Sequence, residues 1–212
     1  MHIPKKGLRA LGIAESYAGR ERSTLAGVVM RKDLRIDGFC SGRVTVGGMD
    51  ATDTVLKMIR DLDRRDINVV LLSGCVIAWF NVIDPGRIAD VSGIPVICVT
   101  YEKSDGLLED LRHHFPGDEL RELAYLRLGE RVPVDLGGHR TIYLRAAGIG
   151  YPDAEHFCRD FTLEGKIPEP LRVARLCARQ AFSEQGRLSD PKNDLPQEKY
   201  SYPRRKNQTD TF

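Results

Sequence analysis

The stretch NVVLLSGCVIAWFNVID, Asn68 to Asp84, decides how the chain is read. Its first part, Val69-Val70-Leu71-Leu72, is an unbroken apolar run of the kind that forms a strand buried on both faces. The run stops at Ser73-Gly74-Cys75 and gives way to Ile77-Ala78-Trp79-Phe80-Asn81. In an α/β domain the carboxyl end of such a strand is where ligands and catalytic groups gather. An acid is the residue to look for there, and a serine stands in its place.

Toward the amino terminus, three β-rich runs, Leu8 to Tyr17, Thr24 to Met30 and Arg35 to Val46, are separated by short polar or glycine-containing turns. They read as a three-stranded meander. DATDTVLKMIRDLDRRD follows, with Val55, Met58, Ile59 and Leu62 on one helical stripe and Asp50 and Asp53 as helix-start acids. Ile67 to Leu72 is the buried strand, DPGRIADVSG a short helix or turn ended by Gly93, and Pro95 to Thr100 another strand. A meander followed by this αβαβ alternation is the order of a ribonuclease H-like α/β domain, a mixed sheet with flanking helices. GLLEDLRHHF, ELRELAYLRL, DAEHFCRDF and PLRVARLCARQAF read as helices, and Thr141 to Ala146 as a further strand. One domain over residues 1–182 is expected. Residues 183–212 are polar, carry Pro191, Pro196 and Pro203, and hold too few apolar side chains to offset the entropy of ordering them, so they read as a disordered tail. Its basic cluster, Pro203 to Lys206, is either solvated or in reach of phosphate.

Composition sets looser bounds. A chain of 212 residues that is 42% apolar is long enough for one ordinary core. Lys and Arg number 32 against 30 Asp and Glu, so nucleic-acid binding needs a local basic patch rather than overall charge. Five dispersed cysteines with no CxxC pair favour reduced thiols over disulfides or zinc, and with them a cytoplasmic setting. No apolar run is long enough to span a membrane, and no secretory leader is visible. The oligomeric state stays open.

In LGIAESYA, IDGFCSGRVTVGGMDATD, LLSGCVIAWFNVID, GIPVICVTYEKSDG and IPEPLRVARLCAR the chain resembles the endonuclease V-like proteins, and more closely an archaeal branch named endonuclease dU. The resemblance runs from about Leu11 to Phe182. It implies a Mg²⁺- or Mn²⁺-dependent endonuclease acting on nucleic acid, DNA foremost, that holds a deaminated base of the deoxyuridine type, in DNA repair. Such enzymes gather carboxylates around the ion, which activates water and offsets charge on the phosphate. Carried over residue by residue, the family's acids fall on Ala14 (with Glu15 beside it), Asp50, Ser73 and Arg175. The wedge that probes the base falls on Ser41-Gly42-Arg43.

Two answers to the missing acid stay open: a site rebuilt one register away, or a catalytically silent nucleic-acid-binding module. A third reading is a small-molecule binder using the Ser73 to Asp84 segment. In the rebuilt site Asp50, Glu15 and Asp53 are the candidate catalytic acids, and Glu15, Asp50 and Asp84 the candidate metal ligands. Ser73, Trp79, Asn81 and Arg43 are the candidate contacts to nucleic acid. Each has a plainer role. Asp50 and Asp53 sit where acids favour a helix start; Glu15, in an apolar strand, needs a partner such as an arginine; Trp79 is a core side chain as readily as a stacking surface; Asn81 and Asp84 are turn caps as readily as ligands. Glu102, Lys103 and Asp105 lie at a strand's carboxyl end but read as solvated. His113 and His114, about 100° apart on a helix, do not share a metal and read as surface residues.

Overall fold

The computed structural model describes residues 7–16, 21–138 and 140–188, with side chains through residue 180. The meander forms as β1 (Arg9–Ser16), β2 (Arg22–Arg31) and β3 (Ile36–Thr45), all antiparallel because short turns permit only that direction. Helix α1 (Ala51–Leu62) then crosses over, so that β4 (Val69–Leu72) returns parallel to β1, with Ala10 opposite Val69 and Ile13 opposite Leu72. A small hairpin of β5 (Val76–Ile77) and β6 (Asn81–Val82) leads into α2 (Pro85–Ser92) and β7 (Val96–Thr100), which is parallel to β4. Helices α3 (Leu108–His114) and α4 (Glu119–Arg127) precede β8 (Val132–Asp135) and β9 (Thr141–Ala147). Helices α5 (Tyr151–Asp160) and α6 (Glu169–Leu188) close the order. The main sheet runs β3-β2-β1-β4-β7-β9-β8, which puts β1 and β4 side by side at its centre.

Alternation along the strands gives each sheet face its own core. Leu11, Ile13, Val70 and Leu72 pack against α1 and α2 on one face, through Val55, Met58 and Ile88. Ala10, Val69, Leu71 and Ile97 pack against Phe157 of α5 and Phe161 just past its end on the other, and α6 adds Leu171 there and Ala174 beneath Ala14. Both faces of β1 and β4 are covered, which is why VVLL reads as an uninterrupted apolar run. Helix α6 lies directly on β1, since a Cβ at Gly12 would stand 2.5 Å from the Pro170 carbonyl carbon.

Several details depart from the sequence reading. Strand β8 and the β5–β6 hairpin are not anticipated, because two- and four-residue strands are too short to show a period. Helix α6 continues to Leu188, past the end read at residue 182. The remainder of the tail, with Pro203 to Lys206, lies outside the described residues. The cysteines are not all free: Cys75, just beyond β4, and Cys98 of β7 pair as a disulfide with Cα atoms 6.2 Å apart. Adjacent parallel strands make this contact, and spacing along the chain gives no sign of it. Among the described residues no helix is long and apolar enough to cross a membrane.

Replacing Gly12 with valine forces α6 off β1. The substitution is expected to lower unfolding free energy by about 1–3 kcal/mol, the usual range for overpacking, with alanine intermediate. Chemical denaturation of the three proteins checks the order.

Candidate functional site

The β1–β4 pairing ends at Ile13 and Leu72, and the Ser73 N–H donates to the Ile13 carbonyl at 3.0 Å. Beyond this edge the chain turns through Ala78, Trp79 and Phe80, all left-handed, with φ of 41°, 59° and 62°. None is glycine, so the conformation costs roughly 1–2 kcal/mol per residue and must be held from outside. The Ala78 N–H donates to Glu15 Oε1 at 3.0 Å, and the Ala78 carbonyl accepts from the Gly47 N–H at 2.8 Å. Arg121, only 4% exposed, reaches from α4 to donate to the carbonyls of Phe80, Gly48 and Gly47 at 2.7, 2.9 and 2.8 Å. Its guanidinium lies 4.0 Å from the Phe115 ring centroid and pairs with Asp118 at 2.9 Å.

Asn81 closes the turn. It is fully buried; its side chain accepts from the Ala51 N–H at 3.0 Å and donates to the Thr45 carbonyl at 2.9 Å and to Asp50 Oδ1 at 2.6 Å. It thereby joins the end of β3, the start of α1 and β6. Asp50 stands at the N-cap position of α1 but makes no side-chain cap. Its carboxylate bends back to the Thr45 N–H (3.1 Å) and the Thr45 hydroxyl (2.8 Å), with Arg22 at 3.7 Å. Burial works to raise its pKa, but the hydrogen bonds from Thr45 and Asn81 outweigh burial and hold it below the usual carboxylate value.

Glu15 lies on the opposite sheet face from Ala14, as strand alternation requires. Its Oε1 accepts from the Ser23 hydroxyl at 2.6 Å as well as from Ala78. Burial raises its pKa, and the bonds from Ser23 and Ala78 only partly offset this. Asp50 is not among the causes of this shift. Glu15 and Asp50 are tied to opposite ends of the same turn, at Ala78 and Asn81. Asp84 caps α2 through the Arg87 N–H at 3.0 Å, while Asp53 pairs with the Arg87 guanidinium at 2.6 Å. Trp79, 6% exposed, packs on Phe80 and on His114, whose ring centroid is 4.6 Å away. His114 is exposed, as read from the sequence, yet its ring is part of this aromatic cluster. Arg43 is exposed on β3, opposite Thr24.

Ser73 faces α6. Its Oγ accepts from Arg175 Nε at 3.1 Å and Nη2 at 2.7 Å, and the Arg175 guanidinium lies 4.6 Å from the Tyr101 ring centroid. Burial pushes the Tyr101 hydroxyl up to about 12, against smaller opposing effects of Arg175 and Ser73. A small depression at this edge is bordered by Ile13, Ala14, Glu15, Ser73, Gly74 and Ile77. Sequence reasoning gave no role to Arg121, Tyr101 or Ser23. Each acts through a tertiary contact that no local pattern marks.

The donor set can be tested against the divalent ion that the resemblance implies. Of the four carried-over positions, Ala14 offers no donor, Ser73 is bonded to a guanidinium, and Arg175 is itself a cation. Asp50 alone keeps a carboxylate, and its oxygens already accept from Thr45 and Asn81. Among the described residues no three His, Cys, Asp or Glu side chains converge as a metal site. These residues do not fit a resident Mg²⁺.

Sheet order and helix placement define a ribonuclease H-like fold of the endonuclease V type. Ciona intestinalis endonuclease V, solved with a 24mer DNA containing an inosine followed by a ribo-adenosine, superposes with a TM-score of 0.58 at 15% identity, over 85% of this chain and 88% of that one. A protein of unknown function from Archaeoglobus fulgidus matches at TM-score 0.71 and 28% identity, over 82% and 98% of the two chains. Residues 6–182 match the family model for endonuclease dU, and the chain belongs to that family. The UPF0215 protein of Pyrobaculum calidifontis is 36% identical over 170 residues, 79% of this chain and 93% of the relative.

The Glu15 carboxyl gives a pH test. A folded-state pKa raised above the ordinary 4.5 adds stability below that value and loses it as pH rises through the folded pKa. Glu15→Gln keeps an oxygen for Ser23 and Ala78 without the desolvated charge. The variant is expected to melt above wild type near neutrality, with the gap closing on acidification; a gap that stays constant with pH would contradict the assignment.

Proposed function

We propose that the chain acts on nucleic acid carrying a deaminated base, deoxyuridine-type DNA foremost, as an endonuclease of the kind its family is named for. The observation that carries this reading is the pair of acids fixed on one strained turn at the carboxyl edge of β1 and β4. Glu15 is desolvated and prone to hold a proton; Asp50 is kept ionised. Carboxyls pushed apart in this way suit opposite roles in proton transfer. Glu15 is the candidate to deliver a proton to a leaving oxygen, and Asp50 the candidate to orient or accept from a water. The family membership and the DNA-bound endonuclease V of the same fold support nucleic acid as the partner. Hydrolysis is not routed through a metal here, because the donor set does not fit one.

The second reading, a catalytically silent binding module, is favoured by the Ser73–Arg175 pair that stands where the resemblance calls for two carboxylates. Strand-cutting assays on oligonucleotides with deoxyuridine, deoxyinosine or no altered base separate the two, run in chelator and with Mg²⁺ or Mn²⁺. Cutting at the deoxyuridine strand is expected, reduced at least about 100-fold in Glu15→Gln and in Asp50→Asn, the lower bound for losing general acid–base catalysis. Tight binding without cutting under every ion condition would favour the silent module. No binding to any strand would remove both.

A further inference from the structure

We infer that Arg175, Ser73 and Tyr101 form an oxyanion site on the α6 face of the sheet edge, taking a backbone phosphate of the bound strand. The inference rests on the nucleic-acid reading above and names where the strand is held.

Arg175 has no carboxylate partner among the described residues. Other arginines find acids or carbonyls: Arg172, on the same helix, pairs with Glu169 at 2.5 Å, Arg121 with Asp118 at 2.9 Å and Arg64 with Asp37 and Asp66 at 2.9 and 2.8 Å, while Arg140 and Arg145 donate to the Gly137 and Gly129 carbonyls. Arg175 instead spends Nε and Nη2 on the Ser73 hydroxyl, and Nη1 makes no hydrogen bond among the described residues. The ring of Tyr101 fixes the plane of the guanidinium at 4.6 Å.

The two hydroxyls point to the same ligand class. Ser73 Oγ accepts both bonds from Arg175, so its own O–H remains to donate. Among the described residues the buried Tyr101 hydroxyl meets no partner at full hydrogen-bond geometry, although Ser73 stands close enough to lower its pKa, and a ligand oxygen would relieve the cost. Burial keeps it protonated, hence a donor, well above neutrality. A fixed cation beside two hydroxyls suits a phosphate, whose oxygens match a guanidinium, better than a divalent ion. A guanidinium thus supplies positive charge at positions where the resemblance calls for carboxylates to hold a metal.

The test uses the full chain, a labelled deoxyuridine-containing single strand and, separately, inorganic phosphate. Affinity for the strand is measured against salt, and thermal shift reports phosphate. Arg175→Met is expected to weaken strand binding about tenfold and to lower the log–log salt slope by about one phosphate contact. Tyr101→Phe removes only a hydroxyl, so it reads out the site even if Arg175→Met folds poorly; a loss of about threefold is expected, with an unchanged salt slope. Ser73→Asp neutralises the guanidinium and should act like Arg175→Met. If wild type binds the strand and folded variants bind equally with the same slope, the site is overturned and the nucleic-acid reading stands. If wild type binds no strand but phosphate stabilises it and not Arg175→Met, the site stands and the nucleic-acid reading falls. Neither response overturns both.

Discussion

The left-handed turn at Ala78, Trp79 and Phe80 is the constraint around which this end of the molecule is organised. Three consecutive non-glycine residues at positive φ persist only under tension from several directions. Glu15 pulls from β1, Gly47 from the loop after β3, Asn81 from within the hairpin and Arg121 from α4. The polar groups buried at this edge therefore serve first to satisfy a backbone that has no regular ladder to join. Any chemical role is laid over that structural one.

This double use explains why the site departs from a plain carboxylate cluster. Adjacent residues of β1 face opposite sides of the sheet, so an acid at position 15 is on the α1 side and not where Ala14 packs against α6. The carboxyl edge is split into two half-sites. One, with Glu15 and Asp50, is acidic and bound to the turn; the other, with Ser73 and Arg175, is cationic and bound to the last helix. Under the proposed reading, such a division would separate proton handling from charge neutralisation, tasks that metal nucleases combine at one ion.

Much of the architecture was legible because it depends on periodicity. The meander, the α1 stripe of Val55, Met58 and Ile59, and the α2 stop at Gly93 all follow from local patterns. The endonuclease V-like family was legible from short motifs taken in order. What escaped was set by tertiary approach alone. Arg121 sits in an ordinary charged helix; only folding brings it against carbonyls from residues 47, 48 and 80. The Cys75–Cys98 pair likewise depends on two parallel strands lying adjacent, and Asn81 looked like a turn cap because its partners, Thr45, Asp50 and Ala51, are remote in sequence.

The central pairing of β1 with β4 also carries a kinetic consequence. The meander needs only short loops, whereas the Arg9 N–H and the Asn68 side chain that meet at the start of the central pair are 59 residues apart. Closing that long loop is entropically slower than zipping the meander, which favours meander contacts forming ahead of the central pair. The turn at 78–80 finds its anchors only after β1, β3 and α4 have docked. Interactions made that late govern how fast the native state is lost far more than how fast it is reached.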